Sequence, residues 1–247
     1  MPNTPLVLYY DLETTGLNSD TDGILQLASH LVELNDTGQL HRIVKSHSLF
    51  MNPGVPCSTS ARETHGITDE FVKGYPPPQE VIEGWLNSIR EGLGLNRPIL
   101  LSGHNSLSFD DKFLRRFVNF DREISACIDT YKLARRVVPD APSMKLGDLY
   151  QQLTGLEPER AHDALGDVTM GVQILDHLLE LSGLTAQQAA DSMSVPVLLD
   201  CMPFGKFKGV RFQHLPAYHI KWCLGAHGMD MDVKHSAQLE RHHRRPN

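Results

Sequence analysis

The residues best able to do chemistry in this chain are acids, and they fall into three short groups. The first is Asp11-Leu12-Glu13, at the end of the apolar run Leu6–Tyr10. In a strand, side chains i and i+2 leave the same face, so both carboxylates would emerge together. Two like charges side by side are costly unless a cation neutralises them. Hard oxygen donors in that arrangement suit Mg2+ or Mn2+. The alternative is a strand end carrying two exposed acids.

The second group is Asp110-Asp111. On a helix, Asp110 shares a face with Phe113, Leu114 and Phe117, so it should point inward. Asp111 sits four residues before Arg115 and reads as half of a surface ion pair. An inward carboxylate suits a metal site, or else the favourable dipole of a helix N-terminus. The third group, His162-Asp163-Ala164-Leu165-Gly166-Asp167, opens a long helical pattern. Ala164 and Gly166 are small and would leave room for a ligand. His162 has a side-chain type that titrates near neutrality and can act as a base. With 13 histidines in the chain, it gains weight only from its neighbours.

The elements that must hold these groups follow from periodicity. Strands are expected at Leu6–Glu13, Ile24–Leu34 and Arg42–Met51, joined by polar turns at Asn18–Gly23 and Asn35–Gly38 as an antiparallel meander. After a loop come a helix near Pro78–Leu93, a strand at Pro98–Ser102, a helix near Phe109–Val118 and a strand at Ile124–Ile128. Helices near Tyr131–Val137, Lys145–Leu153 and Ala164–Leu181 follow, the last ending at Gly183. Strands first, then alternating strand and helix, indicate an α/β mixed sheet covered by helices. A helix at Thr185–Ser192 leads to Ser194–Pro196, where the boundary is expected: domain 1–193, then a small module, 194–247.

The 247 residues suffice for one domain and a small appendage. Apolar content of 40% and charged content of 21% are those of a globular protein. No stretch approaches the roughly 18 apolar residues of a membrane helix, so no membrane partner is expected. The run Leu6–Tyr10 lacks a basic lead and meets Asp11 at once, so it reads as a strand and not a signal peptide. Cysteines 57, 127, 201 and 223 form no CxxC pair and are expected to be reduced thiols in the cytoplasm. The net charge of −7 is uneven: residues 200–247 hold eight Lys/Arg against four acids, a local +4, leaving −11 elsewhere. A basic end on an acidic body suits phosphate binding beside catalytic carboxylates, or is a solvated surface. Phe204-Gly-Lys-Phe-Lys-Gly209 interleaves aromatics and cations, as single-strand binders do. Phe204, Phe207 and Trp222 are expected in the module's core, Lys206 and Lys208 at phosphates, and His242–Arg245 in a disordered basic tail.

Taken together, Asp11-Leu12-Glu13-Thr14-Thr15-Gly16, His104-Asn105 leading to Phe109-Asp110, and His162-x-Ala-x-x-Asp167 resemble the three motifs of the DnaQ-like, DEDDh exonuclease family, over residues 6–182. His65-Gly66-Ile67-Thr68 and Asp129-Thr130 also match it. His104 to Asp110 is one residue longer than in proofreading subunits and resembles exodeoxyribonuclease I, which has an aromatic where this chain has His104. Residues 182–209 resemble the C-terminal part of exodeoxyribonuclease X.

The resemblance implies a ribonuclease-H-like fold, with a five-stranded sheet, and a two-metal 3′→5′ exonuclease that releases nucleoside 5′-monophosphates from DNA. The ions would be Mg2+ or Mn2+, two per site. It implies that Asp11, Glu13, Asp110 and Asp167 are metal ligands and that His162 is the base. Leu12, Thr14, His65 and Asn105 would contact the substrate; for Leu12 and Thr14, plain strand packing is the other reading. The expected partner is a DNA 3′ end, single-stranded or both single- and double-stranded, in a cytoplasmic, nucleoid-associated repair or recombination role. An RNA exonuclease would use the same five residues. A silent binding or scaffold protein would have no physical need for clustered carboxylates.

Overall fold

A computed structural model describes residues 4–91, 97–158 and 164–244. The chain divides into two compact units, Met1–Met193 and Ser194–Asn247.

The first unit is built on β1 (Leu6–Thr14), β2 (Ile24–Leu34) and β3 (Leu40–Phe50), antiparallel as the polar turns require. The strands β4 (Ile99–Gly103) and β5 (Ala126–Asp129) add in parallel, giving the five-stranded order β3-β2-β1-β4-β5. This mixed sheet flanked by helices is the ribonuclease-H-like arrangement. Strand β1 lies at its centre, and its side chains alternate between two cores. Leu6, Leu8, Tyr10 and Leu12 enter one, with Ile82, Trp85 and Ile89 from α3 (Pro78–Arg90). Val7 and Tyr9 enter the other. That second core is supplied by α6 (Thr130–Val137), α7 (Leu146–Thr154), α8 (Ala164–Ser182) and α9 (Ala186–Ser192). Helix α9 opens on a capping box between Thr185 and Gln188.

Several short helices depart from expectation. The stretch expected as a loop after β3 holds α1 (Thr59–His65) and α2 (Asp69–Val72). Their caps, Ser58 and Thr68, accept hydrogen bonds from the amides of Ala61 and Phe71. Helix α1 buries none of its residues, so it left no apolar period to find. Helix α4 is only Asp110–Leu114, because Arg116 and Phe117 bond to carbonyls three residues back and tighten the chain. The single turn α5 (Phe120–Glu123) precedes β5.

The second unit has two 3-10 turns, Gly205–Phe207 and Phe212–His214, then α10 (Ala217–Gly225) and α11 (Met231–His243). Its core is Met202, Phe212, Leu215, Ile220, Cys223, Val233 and Ala237. Phe207 only packs against it, and Phe204 and Trp222 are exposed, so the expected aromatic core is mostly corrected to aliphatic residues around Phe212. The basic tail is also corrected as far as the structure describes it. His242 and His243 end α11, and the Arg244 guanidinium donates to the carbonyls of Phe212, Gln213 and Leu215, at 2.8–3.0 Å. These three bonds tie the end of α11 to the second 3-10 turn, which orders the chain there. Arg245 lies outside the described residues. All four cysteines are free, and no helix among the described residues is long and apolar enough to cross a membrane.

Candidate active site

Strand β1 pairs with β2 as far as Thr14, but its pairing with β4 stops at Tyr9–Ser102. Asp11 and Glu13 therefore stand on the part of β1 that runs on beyond β4. They continue the face of Val7 and Tyr9, which is the face that α8 covers. Asp167 lies in the first turn of α8. The depth of that helix is set by Gly171, one turn further on. A Cβ on Gly171 would lie 2.2 Å from the Tyr9 ring, so only a glycine lets the helix backbone rest on that tyrosine. Tyr9 is held in turn by its hydroxyl, 3.0 Å from Thr130 Oγ1.

The outcome is a cluster in which carboxylate oxygens of Asp11, Glu13 and Asp167 all lie within 4.8 Å of one another. Asp110 opens α4 and is 6% exposed, inward as its helical position demands. Burial, and then Asp110 and Asp167 beside it, push the Asp11 carboxyl well above the usual carboxylate range. Burial, with Asp111, Asp129 and Glu13 nearby, does the same to Asp110. The four acids thus repel one another in a half-buried place, the condition that a bound divalent cation relieves. Oxygen-only donors fit Mg2+ or Mn2+ and not a soft metal.

Asp111 is not the surface residue its spacing with Arg115 suggested. It is 3% exposed, and Tyr10 donates its hydroxyl proton to Oδ1 at 2.6 Å, while the Arg115 guanidinium lies over the Phe120 ring. A helix that starts against the sheet buries its first two residues on either side, which a single-helix periodicity cannot foresee. Asp111 so anchors the residue next to Asp110 to β1.

The loop before α4 is fixed by residues that motif reading only brushed. Asp129, fully buried, accepts from the amides of Asn105, Leu107, Tyr131 and Lys132 at 3.0–3.2 Å. It caps α6 and clamps the 104–109 loop at once. Burial outweighs the amides of Lys132, Asn105 and Leu107 and pushes its carboxyl up to about 6. His104 lies in the same knot: Nε2 donates to the Met144 carbonyl at 2.8 Å, and Nδ1 lies 3.0 Å from Thr130 Oγ1. Burial holds the imidazole down to about 4, uncharged at neutral pH. An acid just before a helix was the legible sign of the Asp129 cap; a glycine inside the apolar pattern of α8 was that of Gly171.

The remaining expected contacts divide. Leu12 is packed in the core, and Thr14 donates to the Gly16 carbonyl at 2.7 Å, so both serve the strand and its exit turn. His65 accepts from the Ile67 amide at Nδ1, which leaves Nε2 to donate to the Thr14 carbonyl at 3.2 Å. Both ring nitrogens meet backbone, so His65 braces the end of β1. Asn105 is exposed with φ +62°, its amide taken by Asp129 and its side chain at the surface. Lys206 and Lys208 are exposed in the second unit. His162, the expected base, lies outside the described residues.

Fold and carboxylate site together define a class, nucleases of ribonuclease-H-like architecture. A family model described as exonuclease (RNase_T) matches residues 8–175, and the chain belongs to that family, among the DnaQ-like exonucleases. A solved structure of exonuclease X in complex with 5′-overhanging duplex DNA is 30% identical, with a TM-score of 0.55, covering 75% of this chain and 98% of that one. Escherichia coli exonuclease I in complex with a dA16 oligonucleotide shares the fold: 18% identity, TM-score 0.59, 74% of this chain and 42% of that one. The PolC-type DNA polymerase III of Listeria innocua is 31% identical over 161 residues, 64% of this chain and 10% of the polymerase. The chain thus spans about a tenth of the length of such polymerases.

Proposed function

We propose that this protein is a divalent-metal-dependent 3′→5′ exonuclease that trims DNA 3′ ends to nucleoside 5′-monophosphates. One observation carries the reading: the oxygen cluster of Asp11, Glu13 and Asp167, with the carboxyls of Asp11 and buried Asp110 both pushed well above the usual carboxylate range. Asp11, Glu13 and Asp167 would hold one cation, and Asp110 with Asp11 a second. Bound there, such ions act as Lewis acids on the phosphate and on the attacking water. The residues of the chain do the rest. His162 accepts the proton of that water, its oxygen bonds to phosphorus, and the bond from phosphorus to the 3′-oxygen of the preceding nucleotide breaks. Asp129, His104 and Tyr9 touch none of the reacting atoms; they hold the loop before Asp110 and the strand bearing Asp11 in place. The DNA-bound state of the exonuclease X relative supports DNA as substrate. A repair or recombination role in the cytoplasm is the setting we infer for it.

The test is to digest matched 3′-labelled and 5′-labelled DNA and RNA oligonucleotides with Mg2+ and resolve the products. A mononucleotide released from the 3′-labelled DNA at once, with a descending ladder from the 5′ label, is expected. Preferential trimming of RNA would move the substrate assignment, and full activity in excess EDTA would overturn the metal reading.

A further inference from the structure

The second unit leaves much of its aromatic surface outside its core. Helix α10 turns Ile220 and Cys223 inward, while Tyr218 and Trp222, four residues apart on one face, are 64% and 49% exposed. Between helix and turn the rings form a row. His219 stacks on Trp222, centroids 4.9 Å apart and planes 22° apart, and lies 4.5 Å from the Phe207 ring, which meets Tyr218 at 6.4 Å. Phe204 is 40% exposed just before Phe207. Burial and the neighbouring Lys206 lower the pKa of His219, so the imidazole is an uncharged spacer that stiffens the row.

The charged residues on this stretch of chain have one sign. Lys206, Lys208 and Lys221 are exposed, and from Cys201 to Met229 the sequence contains no Asp or Glu, while Arg211 lines a cavity with Asp200 and Glu240. Lys206 Nζ stands 5.7 Å from the centre of the Phe207 ring. A protein-docking face is depleted in lysine. Exposed rings carried with lysines on an acid-free stretch of chain match the chemistry of a polyanion with flat bases.

We propose that this face of residues 204–222 binds single-stranded nucleic acid. Bases stack on Trp222 and Tyr218, and phosphates lie along Lys206, Lys208 and Lys221. The proposal rests on the nuclease reading for the identity of the strand, the DNA whose 3′ end is trimmed. The face itself lies wholly in the second unit and uses none of the proposed catalytic residues.

The test uses the full chain carrying Asp11→Asn, in EDTA, with a labelled dT20 oligonucleotide followed by anisotropy and by intrinsic tryptophan emission. The other tryptophan, Trp85, is buried with its Nε1 donating to Ser29, so emission changes report Trp222. Stacking should quench that emission as DNA binds. Tyr218→Ala with Trp222→Ala should weaken binding about 10- to 100-fold. Lys206→Ala, Lys208→Ala and Lys221→Ala together should flatten the log–log salt dependence by about 2. Unchanged affinity and slope in these variants would overturn the proposal, as would anionic vesicles quenching the emission while dT20 does not. The unsubstituted quench guards against a variant that fails to fold, since saturating dT20 without quenching overturns the proposal by itself. Absent hydrolysis by the wild type in Mg2+, with quenching intact, removes the nuclease reading alone. Normal 3′ trimming without quenching removes the binding face alone.

Discussion

Replacing His104 by Gln tests the knot that fixes the loop before Asp110. The amide of Gln can still donate to the Met144 carbonyl, but it cannot titrate. In the folded protein His104 titrates at about 4, against 6.5 for the ordinary side chain. The folded state therefore refuses a proton that the unfolded chain takes up, and stability is lost as pH falls from 6.5 toward 4. That difference in proton affinity makes the loss about 3 kcal/mol. Asp129 works with the opposite sign. Its folded carboxyl titrates at about 6 against 3.8, so it contributes stability at low pH that is lost as pH rises between those values, also about 3 kcal/mol. In the wild type the two slopes offset each other between about pH 4 and 6. His104→Gln leaves the Asp129 slope unopposed.

The assay is urea unfolding of both proteins in EDTA at pH 4.5, 5.5, 6.5 and 7.5. The raised titrations of Asp11 and Asp110 are common to both proteins and cancel in the difference. Stability of the wild type relative to the variant should fall by about 3 kcal/mol from pH 7.5 to its low-pH limit, most of it between pH 6.5 and 4.5. Parallel stability curves across that range would refute the buried, neutral imidazole and the role of His104 as a fixed brace.

Other outcomes follow from the same geometry. Asp11→Asn should abolish hydrolysis yet raise the melting temperature in EDTA at pH 8, because it removes a charge from a repulsive cluster; calorimetry with and without Mn2+ checks it, with Mn2+ stabilising the wild type more. His162→Ala should slow hydrolysis roughly 10²–10⁴-fold at pH 8, and the wild-type rate should fall as pH drops through the His162 pKa; single-turnover rates across pH measure both. Gly171→Ala drives a Cβ into the Tyr9 ring, so it should cost about 1–3 kcal/mol in urea unfolding and lower kcat by displacing Asp167 from Asp11 and Glu13.

What could be read in the sequence was whatever repeats along one element. Alternation on β1 placed Asp11 and Glu13 on one face, and helical spacing turned Asp110 inward; both hold in the fold. The sheet was legible for the same reason, since β2 runs Ile24–Leu34 as its apolar pattern does. Expectation and structure part where a residue's surroundings come from far along the chain. Asp111 is claimed by Tyr10, 101 positions earlier. Nothing in the local spacing around Asp111 records that partner. In the second unit, residue type alone puts Phe204 and Trp222 in a core, but the aliphatic side chains around Phe212 fill it.

The same division explains how the site is assembled. Each carboxylate sits on a different kind of support: Asp11 and Glu13 on a central strand, Asp110 at the head of a five-residue helix, Asp167 in the first turn of a 19-residue helix. Acids this close repel, so none of these supports would converge through their own attraction. The convergence is imposed by contacts away from the charges. Gly171 on Tyr9 brings α8 down to β1, Asp111 on Tyr10 ties α4 to the same strand, and Asp129 clamps the loop that leads into α4. Tyr9 and Tyr10 are consecutive residues that point to opposite faces of the sheet. Helix α8 is thereby seated from one side and α4 from the other, against the two residues that precede Asp11. The free energy that holds four carboxyl groups together comes from that packing, which is why the cluster can persist despite its mutual repulsion and take up a cation without rebuilding the fold.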